Sequence, residues 1–244
     1  MGHPYRDLLT ALRSVDATSP RLTWYGPDFE RVELSGRVLD NWVAKTANFL
    51  QDEVDVEPGT KVLANMPAHW KSIVVAFAAL ACDAELYLGP NDSALDSEVV
   101  FGNTIQQLSG ADASSPVMVG VALGALAMRF DGDLPPGAVD YNAEVRSHAD
   151  VFMPYNDSPE STHQARLNTA KQSYSAQESV KDFAQETPQG ARVLVSASAG
   201  LEDLLASCLG AWLAGGSIVV VHNDEAATDR LRSSERITWT QLPG

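Results

Sequence analysis

The sequence predicts an α/β protein built on a three-layer, doubly wound, mostly parallel sheet with helices on both faces. Two observations carry that expectation. Two stretches repeat one grammar, a short apolar strand, a helix and a second strand. The first runs through Lys61-Val62-Leu63-Ala64-Asn65-Met66, a helix over 70–82 and Ala84-Glu85-Leu86-Tyr87-Leu88; the second through Arg192-Val193-Leu194-Val195-Ser196-Ala197, a helix over 201–213, a Gly215-Gly216 break and Ser217-Ile218-Val219-Val220-Val221. Such βαβ units cross over right-handed and build parallel sheets. The second observation is bulk: 244 residues, 45% hydrophobic and 20% charged, suffice for a full core. One domain over 1–244 is expected.

The remaining elements follow in order. Leu8, Leu9, Leu12 and Val15 share one helical face, and Thr18-Ser19-Pro20 stops that helix. Residues 21–25 and 31–34 flank the turn-forming Gly26-Pro27-Asp28 and read as a hairpin. From Ser35, Leu39, Trp42, Val43, Ala47 and Leu50 recur at three- and four-residue spacing, an amphipathic helix ending before Pro58-Gly59. Residues 116–123 and 127–130 read as strands and 131–137 as a turn-rich loop. The polar stretch 156–190, with weak helical spacing at Leu167, Tyr174, Val180 and Phe183, is expected to be an exposed helix or a mobile insertion.

Charge narrows the partners. With 32 acidic against 17 basic residues, the net charge of −15 would repel phosphate backbones and anionic membrane surfaces, so neither nucleic acid nor membrane is expected as a partner. The start, Met1-Gly2-His3-Pro4-Tyr5-Arg6-Asp7, lacks a secretory pattern, and a cytoplasmic location is the default expectation. Cys82 and Cys208 each sit in an apolar helical pattern and read as buried, reduced thiols; metal-ligand spacing is absent. The five tryptophans are spread along the elements as core anchors, and the pairs Asp52-Glu53 and Asp224-Glu225 read as solvated charge.

The run 22–88 resembles the opening of the adenylate-forming superfamily, which includes acyl-CoA synthetases, luciferases and peptide-synthetase adenylation domains. The carriers are Leu22-Thr23-Trp24, the helix with Ala44, Ala47 and Leu50, Val56-Glu57-Pro58-Gly59-Thr60-Lys61-Val62, Asn65-Met66-Pro67, and the helix 73–80 leading to Ala84. They are similar to that family's Leu-Thr-Tyr strand, Gly-Asp-Arg-Val entry, Pro-Asn loop and Ala-Gly-Ala turn. A second match covers Arg192 to Val221, where Leu209 to Val220 is similar to the family's stretch of leucine, small residues and Gly-Gly-x-Val-Val. The resemblance implies an N-terminal subdomain of such an enzyme and an acyl or aryl small molecule as ligand. In the family a Ser-, Thr- and Gly-rich loop followed by Pro-Lys wraps the ATP phosphates, since freed backbone amides and a cation must oppose several negative charges. The corresponding stretch here, Phe152-Met153-Pro154-Tyr155-Asn156-Asp157-Ser158-Pro159-Glu160, has no glycine or lysine and carries two carboxylates. With Gly244 as the last residue, the family's Tyr-Gly-x-Thr-Glu motif, ribose-binding aspartate and lysine-bearing C-terminal domain are expected to have no counterpart. The resemblance therefore implies a degenerate relative. ATP binding is doubtful, and no other cofactor and no metal is expected.

Ligands of doubly wound sheets sit at the carboxyl ends of the parallel strands. Five residues fall there: His69, Ser196, Ser198, His222 and Asp224. His69 is either a contact for an acyl or aryl substrate or a surface histidine beside Trp70. Ser196-Ala197-Ser198-Ala199-Gly200 resembles a nucleophile elbow, but Ser196 stands where glycine is wanted and no histidine follows Asp224; Ser198 is otherwise the cap of the next helix. His222-Asn223-Asp224 is a polar rim or a strand-ending turn. Three functions are consistent with this: a non-catalytic small-molecule-binding or interaction module, part of a split adenylating enzyme completed by a partner protein, or a structural subunit of a homo-oligomer.

Overall fold

The structure is a computed structural model that describes residues 2–89, 96–108, 116–155 and 165–241. The residues divide into two compact units, Met1–Asp40, Pro67–Ile73 and Gln177–Gly244 in the first, Asn41–Met66 and Val74–Ala176 in the second. The parallel-rich α/β class is as expected. What the repeated grammar did not reveal is that its two βαβ units belong to two different sheets.

The first unit holds a five-stranded sheet. Its members are β1 (Pro20–Tyr25), β2 (Arg31–Ser35), β10 (Arg192–Ser196), β11 (Ser217–Val221) and β12 (Trp239–Gln241), in the order β12-β10-β11-β1-β2. Every neighbouring pair is parallel except the hairpin β1-β2. Strands β10 and β11 are joined by α7 (Leu201–Leu213), and α1 (Pro4–Ser14) lies against α7. The Gly215-Gly216 break has two separate causes. Gly215 takes φ +69, the left-handed conformation that ends helices. Gly216 passes so close to the Ala191 carbonyl that a Cβ would meet its oxygen at 2.1 Å. The buried Arg21 guanidinium then accepts the burden of three orphan carbonyls, donating to Gly215 O (2.8 Å), Gly216 O (3.0 Å) and Val15 O (2.9 Å).

The second unit holds a seven-stranded sheet, β7 (Val139–Asp140), β6 (Val117–Gly120), β5 (Val99–Gly102), β3 (Lys61–Asn65), β4 (Glu85–Leu88), β8 (Arg166–Asn168) and β9 (Ser173–Ser175), in that order. All neighbours are parallel except β8-β9. Helix α2 (Gly36–Glu53) and helix α3 (Trp70–Ala81) each span the boundary between the units in sequence. The short helices are α4 (Ile105–Leu108), α5 (Tyr141–Glu144), α6 (Ala176–Glu178), which leads into a π-helical turn at Ser179–Phe183, and α8 (Asp229–Ser234).

Two expectations change. Residues 127–130 form no strand, because their backbone is served by side chains instead of a ladder: Ala127 O accepts from Asn142 Nδ2 (3.0 Å) and Arg146 (3.3 Å), and Phe130 N–H donates to Asp140 (2.9 Å). Of the polar stretch 156–190, residues 156–164 lie outside the described residues. Residues 165–190 supply the β8-β9 hairpin and the π-helical turn, not an exposed helix. Their apolar residues are too few to show a period, although Leu167 is buried and Tyr174 half-buried.

Cys82 and Cys208 are buried, as read, and the Cys82 thiol donates to Ala47 O at 3.6 Å. Trp24, Trp70 and Trp212 are buried; Trp42 is half-buried and Trp239 exposed. Among the described residues no helix is long and apolar enough to cross a membrane.

Candidate functional site

At the carboxyl ends of β1 and β11 an open groove of about 820 Å³ forms within the first unit. The two strands finish level, with Tyr25 opposite Val221, and the His222 N–H extends the pairing by donating to Tyr25 O at 2.9 Å. One wall is the β1-β2 turn, which brings Phe29 and Glu30; the other is the segment around α8, which brings Arg230 and Leu231. Leu231 also packs, with Tyr25 and Ile237, on the buried cluster Leu194, Val219 and Val221, so α8 is seated on the sheet by apolar contact.

The turn has an unusual backbone. Asp28 and Phe29 both take positive φ, +53 and +63. For a bulky aromatic that is a costly conformation, and it holds the Phe29 ring fully exposed. Gly26 N–H donates to Glu30 O (2.9 Å) and Glu30 N–H to Pro27 O (3.0 Å), closing the turn, while the Trp24 indole N–H donates to Glu30 Oε2 at 2.8 Å. A Cβ at position 26 would meet Glu30 Oε2 at 2.4 Å and Trp24 Nε1 at 2.7 Å, so a side chain there must displace the Trp24–Glu30 hydrogen bond.

Behind the groove Tyr25 joins an ion-pair cluster. Its hydroxyl donates to Glu235, which is also held by Arg31 (3.1 Å) and by Arg192; Arg192 Nε donates to Glu235 O at 2.7 Å. Burial opposes the Glu235 charge, but the hydrogen bonds from Tyr25, Arg192 and Arg31 outweigh it and hold the carboxyl below its usual range. Burial, and then the bond to Glu235, push the Tyr25 phenol up, so it stays a donor.

Of the five residues marked in the sequence, His222 lines the groove. It is half-buried, with Nδ1 3.3 Å from Tyr25 O. Asp224 is exposed in a single helical turn, Asp224–Ala226, capped by Asn223. Ser196 is buried and caps the turn Ala197–Ala199; its hydroxyl donates to Ser198 Oγ (3.1 Å) and accepts from Ser198 N–H (3.3 Å). Ser198 is exposed and does not cap α7, because that turn intervenes and Gly200, at φ +91, takes the capping position. His69 is not a surface residue. It is 4% exposed, packs edge-on against Trp24 with ring centroids 4.6 Å apart, and accepts the Lys71 N–H on Nδ1 at 3.1 Å. Burial first, then the nearby Lys71 charge, push it down to about 3, so it is neutral. The sequence reading missed Asp28, Phe29, Glu30 and Arg230; the available signal was a large aromatic placed in an otherwise polar turn.

In the second unit, residues 148–155, of which 152–155 are the described part of the expected phosphate-loop stretch, form a strap held by α2. Asn48 Nδ2 donates to Ala149 O and Val151 O (both 3.0 Å), and Lys45 binds Asp150 (2.8 Å) and the Arg146 and His148 carbonyls. The Tyr155 N–H is taken by Gln51 Oε1 (3.0 Å) and its hydroxyl by Asp52 (2.6 Å). A triphosphate needs free backbone donors and a free cation. Here Lys45 is held by Asp150 and two carbonyls, the Tyr155 amide by Gln51, and the Asp52 carboxylate stands at the Tyr155 hydroxyl, so these residues do not fit it. Asp157 and Glu160 lie outside the described residues.

No protein-family model matches the chain. A Mycobacterium tuberculosis (strain ATCC 25618 / H37Rv) protein described as "TIGR03089 family protein" is 32% identical over 241 residues, 95% of either chain. The chain belongs to that family. Among solved structures it is similar to a Mycobacterium tuberculosis fatty acyl CoA synthetase (TM-score 0.70, 12% identity, 97% of this chain and 48% of that one). A Brucella canis acyl-CoA synthetase gives 0.73 at 14% identity, over 99% of this chain and 47% of that one. The N-terminal domain of FACL13 from Mycobacterium tuberculosis gives 0.67 at 16%, over 98% and 62%. The TIGR03089 family chain thus has the fold of the N-terminal part of acyl-CoA synthetases and spans 48% and 47% of the two synthetases.

Proposed function

We propose that this TIGR03089 family chain is a non-adenylating relative of acyl-CoA synthetases that keeps the N-terminal fold as a small-molecule-binding module, acting in the cytoplasm. The observation that carries the reading is the groove at the carboxyl ends of β1 and β11, the place where α/β sheets take ligands. The non-adenylating half of the reading draws on the strap, whose Tyr155 N–H is taken by Gln51, whose Asp150 holds Lys45 of α2, and whose sequence continues into Asp157 and Glu160 without glycine or lysine. Its test is ATP–pyrophosphate exchange with a panel of fatty and aryl carboxylic acids. No exchange above the protein-free rate is expected with any acid; acid-dependent exchange would refute the reading.

One observation favours a second reading. The chain spans about half of the synthetases it resembles, 48% and 47% in two cases, so a partner chain could supply the remaining half of a split enzyme. Exchange activity that appears only when a copurifying chain is added back would select this alternative.

A further inference from the structure

We propose that the groove at the β1 and β11 carboxyl ends binds a zwitterion, an ammonium and a carboxylate carried on one apolar body. The proposal rests on the reading of the groove as a ligand site and adds the chemical class. It follows from the two walls, which offer a guest opposite charges that none of the described residues neutralises.

Asp28 stands on the β1-β2 turn and Arg230 on α8, and both line the groove as exposed residues. Among the described residues neither side chain enters an ion pair or a hydrogen bond, so the two charges line one groove without meeting. Thr228 adds to the α8 wall: its Oγ1 accepts the Leu231 N–H at 3.2 Å and keeps its own proton to donate. On the other wall Glu30 is engaged by the Trp24 indole, and Arg31 lies over the Tyr25 ring at 5.5 Å, so neither that carboxylate nor that ring is offered to a guest. The groove is therefore polarised, with the donors Arg230 and Thr228 on one side and the Asp28 carboxylate on the other. Leu231, Ala226 and Phe29 supply apolar surface. Phe29 is fully exposed on a costly left-handed backbone at φ +63, and its ring gains burial against an apolar guest. A lone carboxylate would meet Arg230 but also Asp28 and the field of a chain with net charge −15. A lone ammonium would meet Asp28 but also Arg230. A zwitterion pairs with both walls and, having no net charge, is not repelled by the chain.

Calorimetric titration with three probes that share one phenyl ring separates the two walls. L-phenylalanine carries both charges, 2-phenylethylamine lacks the carboxylate and 3-phenylpropionate lacks the ammonium. L-phenylalanine should bind about tenfold more tightly than either, ~1.4 kcal/mol. Asp28→Asn, which suits the left-handed backbone at φ +53, should weaken L-phenylalanine and the amine several-fold and leave the propionate no weaker. Arg230→Gln should weaken L-phenylalanine and the propionate several-fold and leave the amine no weaker. L-phenylalanine binding no tighter than the two single-charge probes would overturn the zwitterion while leaving the groove as a ligand site. An affinity for L-phenylalanine unmoved by either Asp28→Asn or Arg230→Gln would overturn it as well, since both walls must act. No binding of any probe at about 10 mM would remove both the proposal and the groove reading.

Discussion

Acidification should destabilise this protein through His69 in a defined window. The imidazole is buried against Trp24, and its Nδ1 accepts the Lys71 N–H, so protonation removes that bond and puts a charge beside Lys71. In the unfolded chain His69 titrates near 6.5; in the folded chain its pKa is pushed down to about 3. The unfolded state therefore binds more protons across that interval, and stability falls as pH drops through it. Linkage over these values gives a loss of ~2 kcal/mol between pH 7 and pH 5. His69→Asn supplies the control. Its side-chain oxygen can still accept the Lys71 N–H at the start of α3, as asparagine does at helix N-termini, but it does not titrate. Urea unfolding of both proteins at pH 7 and pH 5 reads the difference. The wild type should lose about 2 kcal/mol more than the variant. Equal losses would refute the argument, showing that His69 is solvated or already charged in the folded protein.

Three other perturbations test neighbouring parts of the structure. Gly26→Ala drives a Cβ into the Trp24–Glu30 hydrogen bond and should cost ~1–3 kcal/mol, read by denaturant midpoint; an unchanged midpoint would mean the turn adapts freely. Glu235→Gln leaves Arg31 and Arg192 without their shared carboxylate and should cost about 2–3 kcal/mol at pH 7. Because the Glu235 carboxyl is held below its ordinary 4.5, its contribution is present above that value and fades as pH falls through it. The variant's deficit should therefore shrink below pH 4 in urea titrations, and a deficit independent of pH would contradict the cluster. Asn142→Ala removes three hydrogen bonds to Ala122 and Ala127 and should speed amide exchange across 121–130, with a loss of about 2–4 kcal/mol; unchanged exchange there would show that the loop does not depend on Asn142.

The two βαβ units were legible because each places short apolar strands, Val62 to Ala64 and Leu86 to Leu88 in one, Val193 to Val195 and Ile218 to Val221 in the other, next to an apolar helix, and period and length then agree. Helix α7 and strand β11 match their expected bounds, Leu201–Leu213 and Ser217–Val221. Which strands pair was not legible: nothing in Leu22 or Trp24 says that β1 will lie beside β11, almost two hundred residues away, rather than beside β3. Strand β5 escaped notice because Val99, Val100 and Phe101 form too short a run to show a period. The groove was half-visible. His222 follows from the strand-end rule, whereas the contributions of Phe29 and Arg230 depend on how a turn and a short helix are placed on the sheet, which local sequence does not encode. His69 shows the opposite failure, a polar residue next to a tryptophan that looks like surface until Trp24 is brought against it.

The chain keeps the fold of the acyl-CoA synthetase N-terminal part, and we propose that it does not hold ATP. Calorimetric titration of the purified protein with ATP and magnesium tests it most directly. The account predicts no saturable heat. Binding tighter than about 100 μM, roughly 5.5 kcal/mol, would contradict it and select the split-enzyme reading instead.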